Sequence, residues 1–218
     1  MIFTDAELTG LSAISGGGRL PGVPSLASGA DQARLAMEGL RAKGVVDGFE
    51  RVTRFGVVPV RCVELYRSAD RHVFVNQMRV GVGGDEAVMV IHPAPGGWML
   101  ARMSPVALMV ALLKAYPFLC GGGPNESPGL WEPVTVEQWA AGRPDDGTAP
   151  LLVVRDSCVT RRSWSMAVFD VRDGQGFEFD PLRRQGRVLP VWQVRARLAG
   201  LVGCVESEGL AGGFDGVV

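Results

Sequence analysis

Apolar positions recur at helical spacing from the start of the chain. Ala6, Leu8, Leu11 and Ile14 follow Thr4-Asp5-Ala6-Glu7. That tetrad is a capping box: the Thr4 hydroxyl accepts from the Glu7 amide, and the Glu7 carboxylate reaches back to the Thr4 amide. Gly16-Gly17-Gly18 closes this helix, and Leu20-Pro21-Gly22-Val23-Pro24 makes a stiff connector. A second helix starts at Ser28 or Asp31 and takes its apolar face from Leu35, Met37 and Leu40. Gly44 suits its left-handed cap. Val45 to Phe49 reads as a short strand or turn, and a third helix spans Val52 to Ser68 with Pro59 as an early irregularity.

The period then changes to two. Val73 to Val80 reads as one strand, Gly81 to Glu86 as a turn, and Ala87 to His92 as a second strand. Pro93 to Gly97 turns the chain into a third strand, Trp98 to Met103, completing an antiparallel meander. Ser104-Pro105, a cap residue followed by proline, opens a helix to about Tyr116. Cys120 to Pro133 reads as a loop. Thr135-Val136-Glu137-Gln138 is a second capping box, opening a short helix through Ala141. A second meander uses Leu151 to Arg155, Ser163 to Val171 and Phe177 to Phe179, with its last turn at Asp173 to Gly176. A helix over Val191 to Val205 and a Gly-rich tail over 206–218 end the chain.

Both meanders close on the same short pattern. Arg102-Met103-Ser104-Pro105-Val106 leads into Leu108 and Leu112, and Arg187-Val188-Leu189-Pro190-Val191 leads into Val194 and Leu198. The repeat predicts an α+β fold in which two meanders form one antiparallel sheet in a pseudo-twofold arrangement. Helices pack at its ends and on one face. The halves are residues 1–103 and 104–205, with 206–218 as a flexible tail.

Composition fits an ordinary packed globular chain. Hydrophobic residues make up 47% of the 218, and 22 Lys and Arg nearly balance 23 Asp and Glu. A net charge of −1 gives no electrostatic reason to expect nucleic acid. Cys62, Cys120, Cys158 and Cys204 are far apart in apolar stretches and read as reduced, mostly buried thiols. The first residues have neither a basic n-region nor an apolar h-region, so the expected compartment is the cytoplasm. No run of about 18 apolar residues predicts a membrane span.

Catalytic motifs are missing. His72 and His92 are the two histidines, and neither belongs to a nucleophile motif. No local Cys/His pair suggests zinc. The glycine clusters at 16–18, 81–84 and 121–123 lack phosphate-loop spacing, and the first ends a helix, the wrong polarity for an anion. Asp85-Glu86 and Asp145-Asp146 read as solvated turn carboxylates. Arg161-Arg162 and Arg183-Arg184 read as charges that block a sheet edge. No cofactor and no metal is expected. The first fifty residues also resemble part of a winged helix, with Asp31 to Lys43 in the recognition position. A regulatory or scaffold protein binding DNA or protein through that module is therefore an alternative.

The order of elements resembles the EspG-type proteins associated with type VII (ESX) secretion. The likeness rests on Trp164 to Leu201, with the Asp173-Gly174 turn, Phe177, Phe179 and Gly186-Arg187. It rests also on the opening, Phe3-Thr4-Asp5-Ala6-Glu7-Leu8 with Leu35, Leu40 and Lys43-Gly44-Val45-Val46. It implies a non-catalytic cytosolic chaperone or adaptor that holds a secreted helical client. Asp85 and Glu86, on a turn projecting from the sheet, are the expected partner-binding residues.

Overall fold

A computed structural model describes residues 1–23, 29–83, 88–120, 127–141, 151–158, 162–172 and 175–203. The chain runs β1 (Ile2–Phe3), α1 (Asp5–Ile14), α2 (Ala30–Ala42), α3 (Val57–Arg67), β2 (Arg71–Val75), β3 (Met78–Val82), β4 (Val88–Ala94), β5 (Gly97–Met103) and α4 (Pro105–Ala115). A 3-10 turn (Pro117–Cys120) follows. The second half is β6 (Glu132–Pro133), α5 (Val136–Ala141), β7 (Leu151–Cys158), β8 (Ser163–Arg172), β9 (Gln175–Asp180), β10 (Gln185–Val188) and α6 (Val191–Leu201).

The strands form one antiparallel sheet in the order β1-β5-β4-β3-β2-β7-β8-β9-β10-β6. Each half contributes a four-stranded meander that runs outward from the centre. β2 and β7 join the halves, pairing Arg71 with Cys158 through to Val75 with Val154. The repeat extends further than the R-x-x-P-V pattern. β1 leads through Thr4 into α1 at one edge, and β6 leads through Thr135 into α5 at the other. Both capping boxes form: Thr4 N–H donates to Glu7 (2.7 Å) and Glu7 N–H to the Thr4 hydroxyl (3.2 Å). Thr135 N–H donates to Gln138 (2.9 Å) and Gln138 N–H to the Thr135 hydroxyl (3.2 Å).

Strand alternation divides the core between the two faces. On one face Val73, Val75, Val80, Val88 and Val90 of the first half join Leu152, Val154, Ala167 and Phe169 of the second. They lie under Leu108 and Leu112 of α4 and Val194 and Leu198 of α6, so the two halves share this core. On the opposite face Met89, Ile91 and Leu100 meet Leu8 and Leu11 of α1, Leu40 of α2 and Cys62, Val63 and Tyr66 of α3.

Four local expectations change. Val73 to Val80 is not one strand, because the chain reverses at Asn76-Gln77, with Asn76 at φ 51°. Asn76 ties that hairpin to the second half: its N–H donates to the Val153 carbonyl, and its Oδ1 accepts from the Val153 N–H, both at 2.8 Å. The third helix begins at Val57 because Val52 bridges Val46, and the Thr53 carbonyl and hydroxyl both accept from Gly56 N–H (3.0 and 3.1 Å). Pro59 then falls in the first turn, where no amide needs a helical partner. The second helix is capped by Gly29, with no side-chain hydrogen bond, while Ser28 lies outside the described residues. Its other end matches expectation. Gly44 takes φ 69°, and Val45 N–H to the Leu40 carbonyl (2.8 Å) with Gly44 N–H to the Arg41 carbonyl (2.9 Å) completes a Schellman motif. Finally, β1, β6 and β10 are strands where none was expected.

Candidate functional site

The face that α1, α2 and α3 cover in the first half continues across β7 and β8. There the floor is Val153, Arg155 and Ser157 of β7, with Trp164 and Met166 of β8. This follows from alternation, since Leu152, Val154, Ala167 and Phe169 point into the shared core. Trp164 is 64% exposed, and Arg155 is also exposed.

Two walls bound this floor. On the first-half side, Tyr66 of α3 packs edge-on against His72, with ring centroids 5.0 Å apart. The connector after α1 lies on Phe74. Gly22 is required there, because it has φ 70° and any Cβ would overlap the Phe74 ring. The Tyr66 hydroxyl fixes the connector by donating to the Pro21 carbonyl at 2.6 Å. Burial raises the Tyr66 hydroxyl well above the usual phenol range, so it stays a donor. On the other side, Trp139 of α5 stacks on Phe179 of β9 at 5.4 Å and 12°. From β2 to β9 is three inter-strand steps, about 14 Å. The walls stand on β2 and β9 themselves, so the floor of the trough left between them is that of β7 and β8. Beyond α5, a groove of about 460 Å³ continues past Leu130, Val134, Phe177 and Val188.

The trough has a charged rim. Cross-strand pairing places Arg79, Phe74, Arg155 and Met166 in one row. The Arg155 guanidinium sits 5.2 Å from the Phe74 ring centre, and that of Arg79 sits 5.5 Å from that of Trp98. Arg79 Nε donates to the Gly22 carbonyl at 2.6 Å. Neither arginine has an ion-pair partner among the described residues. Burial and the nearby charge of Arg155 lower Arg79 from the ordinary guanidinium value, against an opposing pull from Tyr66.

Other charged groups serve the frame. The buried Glu178 carboxylate holds Arg187 (2.7 Å) and Arg197, tying β9 to β10 and α6. Glu7 pairs with Lys43 and thereby joins α1 to the end of α2. Arg67 donates to the Ser15 and Gly17 carbonyls, so the 16–18 glycines form a helix end, as expected. His72 is buried and its Nε2 lies 2.9 Å from the Tyr66 carbonyl; His92 is in β4 with Nδ1 3.1 Å from the Pro93 carbonyl. Cys62 and Cys158 are buried, while Cys120 is exposed. Among the described residues, no group of three or more His, Cys, Asp or Glu could hold a metal ion, and no helix is long and apolar enough to cross a membrane.

The expected contact residues, Asp85 and Glu86, lie outside the described residues, as do 121–123, Asp145, Asp146, Arg161 and the 173–174 turn. The described members of the basic doublets, Arg162, Arg183 and Arg184, are not on an edge strand. Arg183 and Arg184 form the turn between β9 and β10, and Arg162 lies in the β7–β8 turn, with φ 53° at Arg184 and 49° at Arg162. On α2, the proposed recognition helix, Arg34 is paired with Glu38 at 2.8 Å. Arg79, Arg155, Trp164 and Met166 had no candidate status in the sequence. Their one signal was strand alternation, which sets Arg155, Trp164 and Met166 on the face opposite Leu152, Val154 and Phe169.

The fold defines an α+β protein with one two-half sheet, one face of which is covered over the second half, among the described residues, by α5 alone. A family model described as "Domain of unknown function (DUF5081)" matches residues 1–129, and the chain belongs to that family. The matched stretch ends before β6, so it includes Arg79 but not Arg155 or Trp164. Comparison with curated proteins finds no match.

Proposed function

We propose that this protein is a non-catalytic cytosolic chaperone or adaptor, which lays an amphipathic helix of a secreted client into the trough over β7 and β8. One observation carries the reading: Trp164 is 64% exposed on the sheet face whose first-half continuation is covered by α1, α2 and α3. We read a large side chain left exposed between two walls on a sheet face as a partner site and not as plain solvent surface. Helix-in-groove recognition uses such a surface, with apolar anchors set three and four residues apart on the client. The likeness to EspG-type proteins supports the same reading.

The test is tagged capture from the native cell lysate, comparing the wild type with Trp164→Asp and identifying retained proteins by mass spectrometry. A small helical protein is expected at near-stoichiometric yield on the wild type and at about a tenth of that on the variant. The melting temperature should differ by less than about 2 °C, because Trp164 is largely exposed. Equal retention by both proteins, or none by either at low salt, would overturn the proposal.

A further inference from the structure

Arg79 and Arg155 flank Phe74 on the first-half rim of the trough, two strands apart. Like charges held close repel, and here no ion pair among the described residues offsets them. The one carboxylate described on this floor, Asp170, is buried to 1% exposure, two rows away from Met166 along β8. The two guanidiniums differ in freedom. Arg79 is held by backbone carbonyls of Gly22, Asn76 and Gln77, so it acts as a fixed charge. Among the described residues, Arg155 contacts the Phe74 ring, and no ion pair is found for it. Beside it on the floor are the apolar Met166, Val153 and Trp164.

We infer, building on the docking reading above, that the client helix carries a carboxylate within or at the border of its apolar stripe, and that Arg155 receives it. An apolar floor with cations on one side fixes which way a helix can lie. Its apolar side chains meet Trp164, Met166 and Val153, and a Glu or Asp must face β7. An Arg fork takes a carboxylate with two parallel hydrogen bonds, which a single ammonium cannot do. The apolar floor argues for a polypeptide partner; a phosphate backbone would need several free cations together, whereas Arg79 is already held by carbonyls.

The probe is a pair of synthetic amphipathic helical peptides of about 20 residues, leucine-faced, identical except for one Glu or Gln at the stripe border. Binding to the full-length protein is read by calorimetry at low salt. The Glu peptide should bind about tenfold more tightly than the Gln peptide. That preference should vanish in Arg155→Gln and recover in part in Arg155→Lys. Both peptides should lose binding to Trp164→Asp. Equal affinities for the two peptides, both dependent on Trp164, would overturn the carboxylate assignment and leave the docking trough standing. A Glu preference that survives Arg155→Gln would place the charge reading elsewhere and would also overturn the assignment. Failure of both peptides to bind, or self-association of the protein through Trp164, would overturn the docking reading together with it.

Discussion

Over β2 to β5, the sheet face opposite α4 and α6 lies under three helices of 10, 13 and 11 residues. Over β7 to β10, the only described helix on that face is α5, with six residues. The two halves share strand order, capping boxes and closing helices, yet among the described residues one face is sealed by three helices and its counterpart is covered by α5 alone. The difference lies in how much chain each half spends between its outer strand and its meander. The first half places two further helices there, and their apolar residues, Leu40, Cys62, Val63 and Tyr66, complete a core. The second half has only α5 described in that interval, and Trp164 remains exposed. Duplicated architecture therefore does not give duplicated surfaces, and the proposed docking site lies where the copies diverge.

The comparison is broken most forcefully by truncating one apolar residue in each half. Leu8→Ala, in the sealed half, should cost about 2–5 kcal/mol in urea unfolding, because Leu8 is fully buried. Trp164→Ala should change stability by about 0.5 kcal/mol or less. Equal losses would mean that Trp164 is a core residue and the second face is sealed too. The caps give a smaller effect. Thr4→Ala should cost about 1 kcal/mol. Thr135→Ala should shift the melting temperature by less than about 2 °C, while hydrogen exchange in 136–141 accelerates, because α5 supports little of the core.

The smallest effect is a pH dependence confined to the sealed half. His72 and Ser157 are register partners across the junction, but only His72 lies under Tyr66. Burial lowers the His72 pKa below 6.5, more than its hydrogen bond to the Tyr66 carbonyl raises it. The unfolded chain therefore binds a proton at mildly acidic pH that the folded chain refuses. The stabilisation is complete above pH 6.5 and is lost as pH falls from there toward the lower folded-state value. Unfolding midpoints should drop between pH 7.5 and 5.5 for the wild type, and His72→Phe, though less stable throughout, should show a flatter profile. Parallel profiles would mean that His72 is protonated in the folded protein.

Long elements were legible because their periodicity is local. α1, α4 and α6 follow from Leu8 and Leu11, from Leu108 and Leu112, and from Val194 and Leu198. Two-residue strands have no period, so β1 and β6 could be found only through the equivalence of Thr4 and Thr135. The β2–β3 hairpin was hidden because Val73 to Val80 alternates through the turn, and Asn76-Gln77 lacks the glycine that usually marks a two-residue reversal. The site was less legible still. A Trp or Arg on a strand is core or surface depending on what lies over it, and that is set by chain elements dozens of residues away. Leu40 and Trp164 are both large and apolar, and only the positions of the helices separate them.

The central β2–β7 pair joins two outward-running meanders side by side, in antiparallel register. A strand paired antiparallel with its own counterpart is the form of contact that two identical chains make about a dyad. The molecule thus has the organisation of a homodimer whose subunits have been fused into one polypeptide. Fusion fixes the stoichiometry of the halves at one to one, and it frees each copy to change without its twin. It also removes a hazard, since either meander alone would present β2 or β7 as an unpaired edge open to any passing strand.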